Sequence, residues 1–370
     1  MSEEDFDEPE IGGDEPELPP PRENAALLGH ESAESLLLSA YNSGRLPHAW
    51  LIAGPKGVGK ATLAYRFARF LLAEAPAGGL FGPPPKADSL AIAPEHPVFR
   101  LVASGAHPDL LAVERGWDAK RKRLRSEIVI DDTRAIADFL HLTSSQGGWR
   151  VVVVDGADDM NRNAANALLK ILEEPPKRSV LLLTSESPGR LLPTIRSRCR
   201  LLHLKKLPET IVSEAILRQS PELSPADAQD LAQLAEGSIG RALILAAMDG
   251  LAVHRDMIRL LGEIPKIDTE SLYGFAEKLT RGEGQGFRLL AELLPGALTR
   301  MVELALGQGA ATTPPAEREA LARLAARRGL DQWVEVWRKI CHLFAAAEGI
   351  ELDRKQVVLN VFFALEEAAR

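Results

Sequence analysis

Cysteine is nearly absent: Cys199 and Cys341 are the two in 370 residues. Two thiols cannot build a disulfide framework or a four-thiolate zinc site, and their scarcity fits a reducing cytoplasm. Long apolar runs are also missing. No stretch of ~18 consecutive apolar residues exists, which leaves no transmembrane helix and no expected membrane partner. The N-terminus lacks the basic-then-apolar order of a secretory signal. Nor is there an excess of base, since the formal net charge is −8. That value is unevenly spread. Residues 1–23 hold ten acids against Arg22 alone, a local charge of −9, so residues 24–370 carry +1. The body is neutral, and a polyanionic partner stays compatible with it. The leader, rich in acid and closing on Pro19-Pro20-Pro21, reads as a solvated, disordered segment.

What is present is the composition of a globular protein, 45% apolar and 26% charged. From residue 24 to about 204, short apolar runs alternate with helical patterns. The runs are 50–53, 110–113, 151–154, 180–184 and 201–204, all of strand length. Helices are expected over 62–75, with Leu63, Phe67, Phe70 and Leu71 on one face, over 131–142, and over 163–174, stopped by Pro175-Pro176. Continuous apolar strands between helices imply a parallel sheet covered on both faces. Beyond residue 205 the strand signal ends. Segments near 208–219, 225–235, 239–248, 268–281, 285–304, 316–328, 331–348 and 353–369 read as helices, with breaks at Gly250, Pro265 and the Gly/Pro/Thr-rich 307–315.

Gly54-Pro55-Lys56-Gly57-Val58-Gly59-Lys60 lies between the first strand and the first helix after it. This is the phosphate-binding loop in its required context. Glycines let backbone N–H groups wrap phosphate oxygens, the helix N-terminus adds its dipole, and Lys60 reaches the β/γ-phosphates. The next residue is Ala61, where the pattern wants a hydroxyl to ligate Mg²⁺; Thr62 is one residue late, about 100° round the helix. Asp155, at the end of the run 151–154, is placed to hold the metal through water. The following residue is Gly156 rather than a water-activating glutamate. Loss of such a base typically lowers a rate by ~10²–10⁴. Nucleotide binding is therefore expected at Gly54 through Thr62 and Asp155, without efficient hydrolysis.

The run Asp158-Asp159-Met160-Asn161 through Asn166-Ala167-Leu168-Leu169-Lys170-Ile171-Leu172-Glu173-Glu174-Pro175-Pro176 is more specific than either element. With Pro193-Thr194-Ile195-Arg196-Ser197-Arg198-Cys199, and with Gly44 to Trp50 and Gly105 to Leu110 earlier, it resembles the clamp-loader branch of the AAA+ ATPases, bacterial members above all. The resemblance covers residues 26–245 by motif. It implies an AAA+ P-loop domain at 24–204 with a five-stranded parallel sheet between helices. A small helical lid at 205–262 and an all-α oligomerising collar at 263–370 would follow. It also implies a place in the ATP-driven clamp loader of DNA polymerase III, beside gamma/tau and delta subunits, the sliding clamp and primer–template DNA. Arg198 is then implied to be an arginine finger completing the neighbouring subunit's ATP site in trans, and Arg134, Lys170 and Thr194 to face DNA phosphates. Departures point to a non-hydrolysing member: Ala61, Gly156, and Gly240 where the lid pattern has its arginine, with Arg241 one place on. Residues 76–108 hold no cysteine, so the zinc module of many relatives is not expected, and no other metal site is read. The alternatives are a catalytically active clamp-loader ATPase subunit, a P-loop kinase, and a binding-only scaffold whose P-loop is vestigial; the kinase would have no use for the Ser-Arg-Cys or Glu-Glu-Pro-Pro motifs. The basic run Lys120-Arg121-Lys122-Arg123 reads as a solvent-facing loop.

Overall fold

A computed structural model describes residues 18–74, 86–118, 123–142, 148–281, 284–308, 313, 315–349 and 352–370. Residues 1–17 of the leader and Lys120, Arg121 and Lys122 of the basic run lie outside them. The chain forms two compact units that divide between Ile211 and Val212.

The first unit is built on five strands: β1 (Ala49–Ala53), β2 (Leu110–Val113), β3 (Arg150–Val154), β4 (Ser179–Ser185) and β5 (Arg200–His203). They form one parallel sheet in the order β2-β3-β4-β1-β5. Each matches an expected apolar run to within one residue. β1 and β4 are buried end to end, because a parallel sheet with helices on both faces shows neither face to water. Successive side chains alternate between those faces. Leu51, Val152, Val154, Leu181 and Leu183 pack with Ile136 and Leu140 of α4 (Ile130–His141), with Leu168, Ile171 and Leu172 of α5 (Arg162–Glu173) and with Ile195 of α6 (Pro193–Arg198). The other face carries α2 (Lys60–Ala73), whose Leu63, Phe67, Phe70 and Leu71 are buried. The remaining helices of this unit are α1 (Glu31–Asn42) and α3 (Pro97–Ala103).

Local chemistry sets the helix ends. The Asn161 side chain accepts from Ala164 N–H at 3.0 Å and starts α5, which ends before Pro175-Pro176. Asp132 Oδ2 accepts from Val129 N–H at 2.8 Å at the start of α4. From α2, Arg69 donates to the Arg22 and Asn24 carbonyls at 2.8 Å each, and Arg66 pairs with Glu34. Burial pulls the Arg69 guanidinium down to about 10, and it lies 4.5 Å from the Phe99 ring centroid. Residues 22–24 are thereby tied to the sheet-covering helix. The segment around the basic run is a short antiparallel pair, Trp117–Asp118 with Arg123–Leu124, where the sequence reads as loop alone.

The second unit is helical: α8 (Pro225–Leu234), α9 (Ile239–Ala247), α10 (Gly250–Glu263), α11 (Thr269–Thr280), α12 (Gln285–Ala305), α13 (Pro315–Ala325), α14 (Leu330–Gly349) and α15 (Arg354–Ala369). α7 (Glu209–Gln219) spans the division. α10 is not among the helices read from the sequence, where Gly250 marks only a break. Gly250 is its first residue, and a Cβ there would lie 2.9 Å from the Leu245 carbonyl oxygen and 3.1 Å from Leu245 Cα. The glycine is needed for close approach of α10 to the end of α9, not to disorder the chain. α10 packs on α8 and α9 and also on α12 and α13. No helix among the described residues is long and apolar enough to cross a membrane.

Candidate functional site

In a parallel α/β sheet, ligands bind at the carboxyl ends of the strands. The sequence-predicted loop lies there: Gly54 follows β1, Asp155 follows β3, and Thr184-Ser185-Glu186 closes β4. Gly57 and Gly59 have φ of 69° and 108°, in the left-handed region open to glycine. A Cβ on Gly54 would sit 2.7 Å from the Leu204 carbonyl oxygen. α2 begins at Lys60 with no side-chain cap and no acid in its first turn. Its first N–H groups have no intrahelical acceptor. An uncapped helix N-terminus within a glycine loop, beside a lysine, fits a phosphate group.

Lys60 is 7% exposed and donates to the Gly54 and Pro55 carbonyls at 3.0 and 2.8 Å. Burial lowers its pKa, opposed by Glu186, Asp155 and Asp158. Asp155 Oδ1 accepts from Thr184 Oγ1 at 2.6 Å, and that hydroxyl oxygen accepts from Gly156 N–H at 2.9 Å. The Walker-type carboxylate is thus oriented from the neighbouring strand. Gly156 has φ of 77°, and a Cβ there would lie 2.9 Å from Asp159 Oδ2. The backbone at this position resists the glutamate that a hydrolysing site would carry.

Sequence reasoning missed four groups that shape this site. Buried His30 holds the Val58 carbonyl at 2.8 Å through Nε2 and packs beneath Gly59. Thr184 orients Asp155. Asp158 accepts from Ser185 Oγ at 2.8 Å and from the Glu186 and Ser187 N–H groups at 2.5 and 3.1 Å, fixing the turn after β4. Glu186, carried on that turn, has Oε1 3.8 Å from Lys60 Nζ. None lies within a recognisable spacing of the loop; Asp158 stands inside a quoted motif, but the motif does not reveal its partners.

Arg198 is the last residue of α6. One guanidinium nitrogen donates to Glu173 Oε1 at 2.7 Å and another to the Thr194 carbonyl at 3.0 Å, leaving the side chain 34% exposed. The Glu173 carboxylate is the part of the Glu-Glu-Pro-Pro motif that meets the Ser-Arg-Cys motif. Cys199 packs against the core, and burial pushes its thiol up to about 12, which suits a filler rather than a nucleophile. Arg134, Lys170 and Thr194 are exposed on α4, α5 and α6, where α5 packs on both others. Arg134 pairs with Asp131 at 3.2 Å.

In the second unit, the Ser238 side chain accepts from Arg241 N–H and begins α9. The Arg241 guanidinium lies 2.7 Å from Glu292 and 3.7 Å from Glu236. Its charge is balanced inside its own unit. Among the described residues no group of three His, Cys, Asp or Glu is placed to hold a metal ion.

Residues 29–208 match the family model described as DNA polymerase III, delta subunit. The chain is similar to DNA polymerase III subunit delta' of Pseudomonas aeruginosa, 36% identical over 222 residues, or 60% of this chain and 61% of that one. It is 34% identical to subunit delta' of Escherichia coli over 241 residues, covering 64% and 66% of the two chains. Against subunit tau of E. coli it is 29% identical over 296 residues, 76% of this chain and 41% of that one. The matches thus span about two thirds or less of each relative's length.

Proposed function

We propose that this chain, whose residues 29–208 belong to the DNA polymerase III delta-subunit family, is a non-hydrolysing clamp-loader subunit that acts on its neighbour. The carrying observation is the contrast between its two phosphate-directed elements. Its own loop has Lys60 and the glycines but Ala61 and a left-handed Gly156 where hydrolysis needs a hydroxyl and a carboxylate. Arg198, by contrast, is held at two points at a helix end and half-exposed, a geometry suited to meeting a phosphate outside the chain.

In this reading residues 24–204 hold an adenine nucleotide, ATP or ADP, through Gly54 to Thr62 and Asp155 and do not hydrolyse it. Arg198 stabilises charge on the γ-phosphoryl group bound by an adjacent gamma/tau subunit. Residues 205–262 serve as lid and 263–370 as the collar that joins the other subunits, delta included. The assembled ring opens the sliding clamp and places it on primer–template DNA in the cytoplasm. Arg134, Lys170 and Thr194, on packed helices, are the residues offered to DNA phosphates, which fix register without reading sequence.

The test is the clamp- and DNA-stimulated ATPase of the reconstituted complex with Arg198→Ala, after size analysis establishes normal assembly. Fingers of this kind contribute ~10³–10⁵ in rate, so a loss of that order is expected. Unchanged turnover would remove the trans role. Mg²⁺-dependent hydrolysis by the isolated chain above a Lys60→Ala background would favour the active-ATPase alternative instead.

A further inference from the structure

The phosphate loop has a negative charge of its own standing where phosphate charge would accumulate. Glu186 Oε1 is 3.8 Å from Lys60 Nζ, and Lys60 is the single buried cation of the loop. The contact is built into the backbone. Asp158 takes the Glu186 N–H, the Ser187 N–H and the Ser185 hydroxyl, so the turn that carries Glu186 cannot retreat without breaking three hydrogen bonds. The carboxylate itself is 52% exposed and faces the loop from the end of β4. Among the described residues, Lys60 is its one ion-pair partner.

We propose that Glu186 is a specificity-determining residue that biases this phosphate loop toward nucleoside diphosphate and against triphosphate. The inference rests on the reading that the loop takes a nucleotide. Lys60 is the group that reaches the β- and γ-phosphates. A carboxylate at that ammonium repels the terminal, most highly charged end of the ligand and already neutralises part of the lysine's charge. A triphosphate meets the full repulsion, a diphosphate less of it, and a monophosphate almost none. The absence of a hydroxyl at Ala61, which would help Mg²⁺ offset that repulsion, leaves the discrimination uncorrected. The chain would then hold a static diphosphate while its neighbours cycle through triphosphate.

Titration of the full chain with fluorescent ATP and ADP analogues, with and without Mg²⁺, tests this in wild type, Glu186→Gln and Lys60→Ala, each checked for an unchanged circular-dichroism spectrum. Glu186→Gln is isosteric and exposed, so folding is retained. The expected result is tighter binding of the ATP analogue by about tenfold in Glu186→Gln, a gain of about threefold or less for the ADP analogue, and a larger ATP gain at low salt than at high. Lys60-dependent binding with the same ATP-to-ADP ratio in wild type and Glu186→Gln, or weaker binding in Glu186→Gln, overturns the role of Glu186 and leaves the nucleotide reading standing. Binding that Lys60→Ala does not weaken, or no binding by wild type or Glu186→Gln, overturns the nucleotide reading and the proposal with it.

Discussion

Replacing Glu317 with alanine removes a carboxylate with no exposed side-chain surface from the centre of the second unit. Its Oε2 meets His254 Nε2 of α10 at 2.9 Å, and its Oε1 accepts from Arg300 Nε of α12 at 2.7 Å, so one residue of α13 ties three helices. Breaking a buried pair by deleting one partner costs about 3–5 kcal/mol, because the remaining charge stays desolvated. Arg300 would keep Glu236 at 3.6 Å, and that carboxylate is partly exposed, which places the cost near the lower bound, about 3 kcal/mol. With a urea m-value of about 3 kcal/mol/M, the far-UV circular-dichroism midpoint of the full chain should fall by about 1 M. Glu317→Gln, which keeps the shape and one acceptor, should lose about 2 kcal/mol. A joint His254→Leu, Arg300→Met, Glu317→Leu replacement should recover most of the alanine loss, since apolar residues carry no uncompensated charge. The pH dependence has a definite sign. Burial alone would raise the Glu317 carboxyl, but His254 and the Arg300 charge outweigh it and hold the group below its ordinary 4.5. Its contribution is therefore complete above about pH 4.5 and fades as pH falls through the depressed folded value. The part of the difference between wild type and Glu317→Gln that comes from this carboxylate should shrink as pH falls below about 4.5. A midpoint shift under about 0.3 M at pH 7, of the size seen for surface pairs, would refute the account.

Two further predictions come from packing. Gly250→Ala would force a Cβ against the backbone of Leu245 and should cost about 1–3 kcal/mol, read as a lower urea midpoint, whereas Gly274→Ala, inside α11 with nothing within 4 Å, should hold or raise the midpoint. Cys199, its thiol pushed up to about 12, is ionised at pH 8 to only about one part in ten thousand, so a thiol reagent should modify it slowly in the native chain and rapidly in urea. Fast native labelling at Cys199, located by mass spectrometry, would contradict its place in the core.

The sheet and most helices were legible because their signals are local. Five apolar runs, the periodic faces of α2 and α5, and the proline stops need no knowledge of what lies across the fold. The phosphate loop was legible for the same reason, being one contiguous stretch whose chemistry depends on glycine conformations and one lysine. α10 was not, since a glycine at a helix start looks in sequence like a glycine that ends one. Its purpose is visible only against Leu245.

The sequence alone determined which chemical groups exist and which are missing: Lys60 and Arg198 present, a hydroxyl at position 61 and a carboxylate at position 156 absent. Tertiary structure alone decided which of them meet. Glu173 and Arg198 are 25 positions apart, Asp155 and Thr184 29, His30 and Val58 28, and Lys60 and Glu186 far more. Apart from His30 and Val58, those pairs exist because parallel pairing of β4 with both β1 and β3 brings the carboxyl ends of the three strands to one edge, and α5 lies against α6. Hydrogen bonds and charges act over a few ångströms. No spacing along the chain encodes an encounter that the order of strands creates.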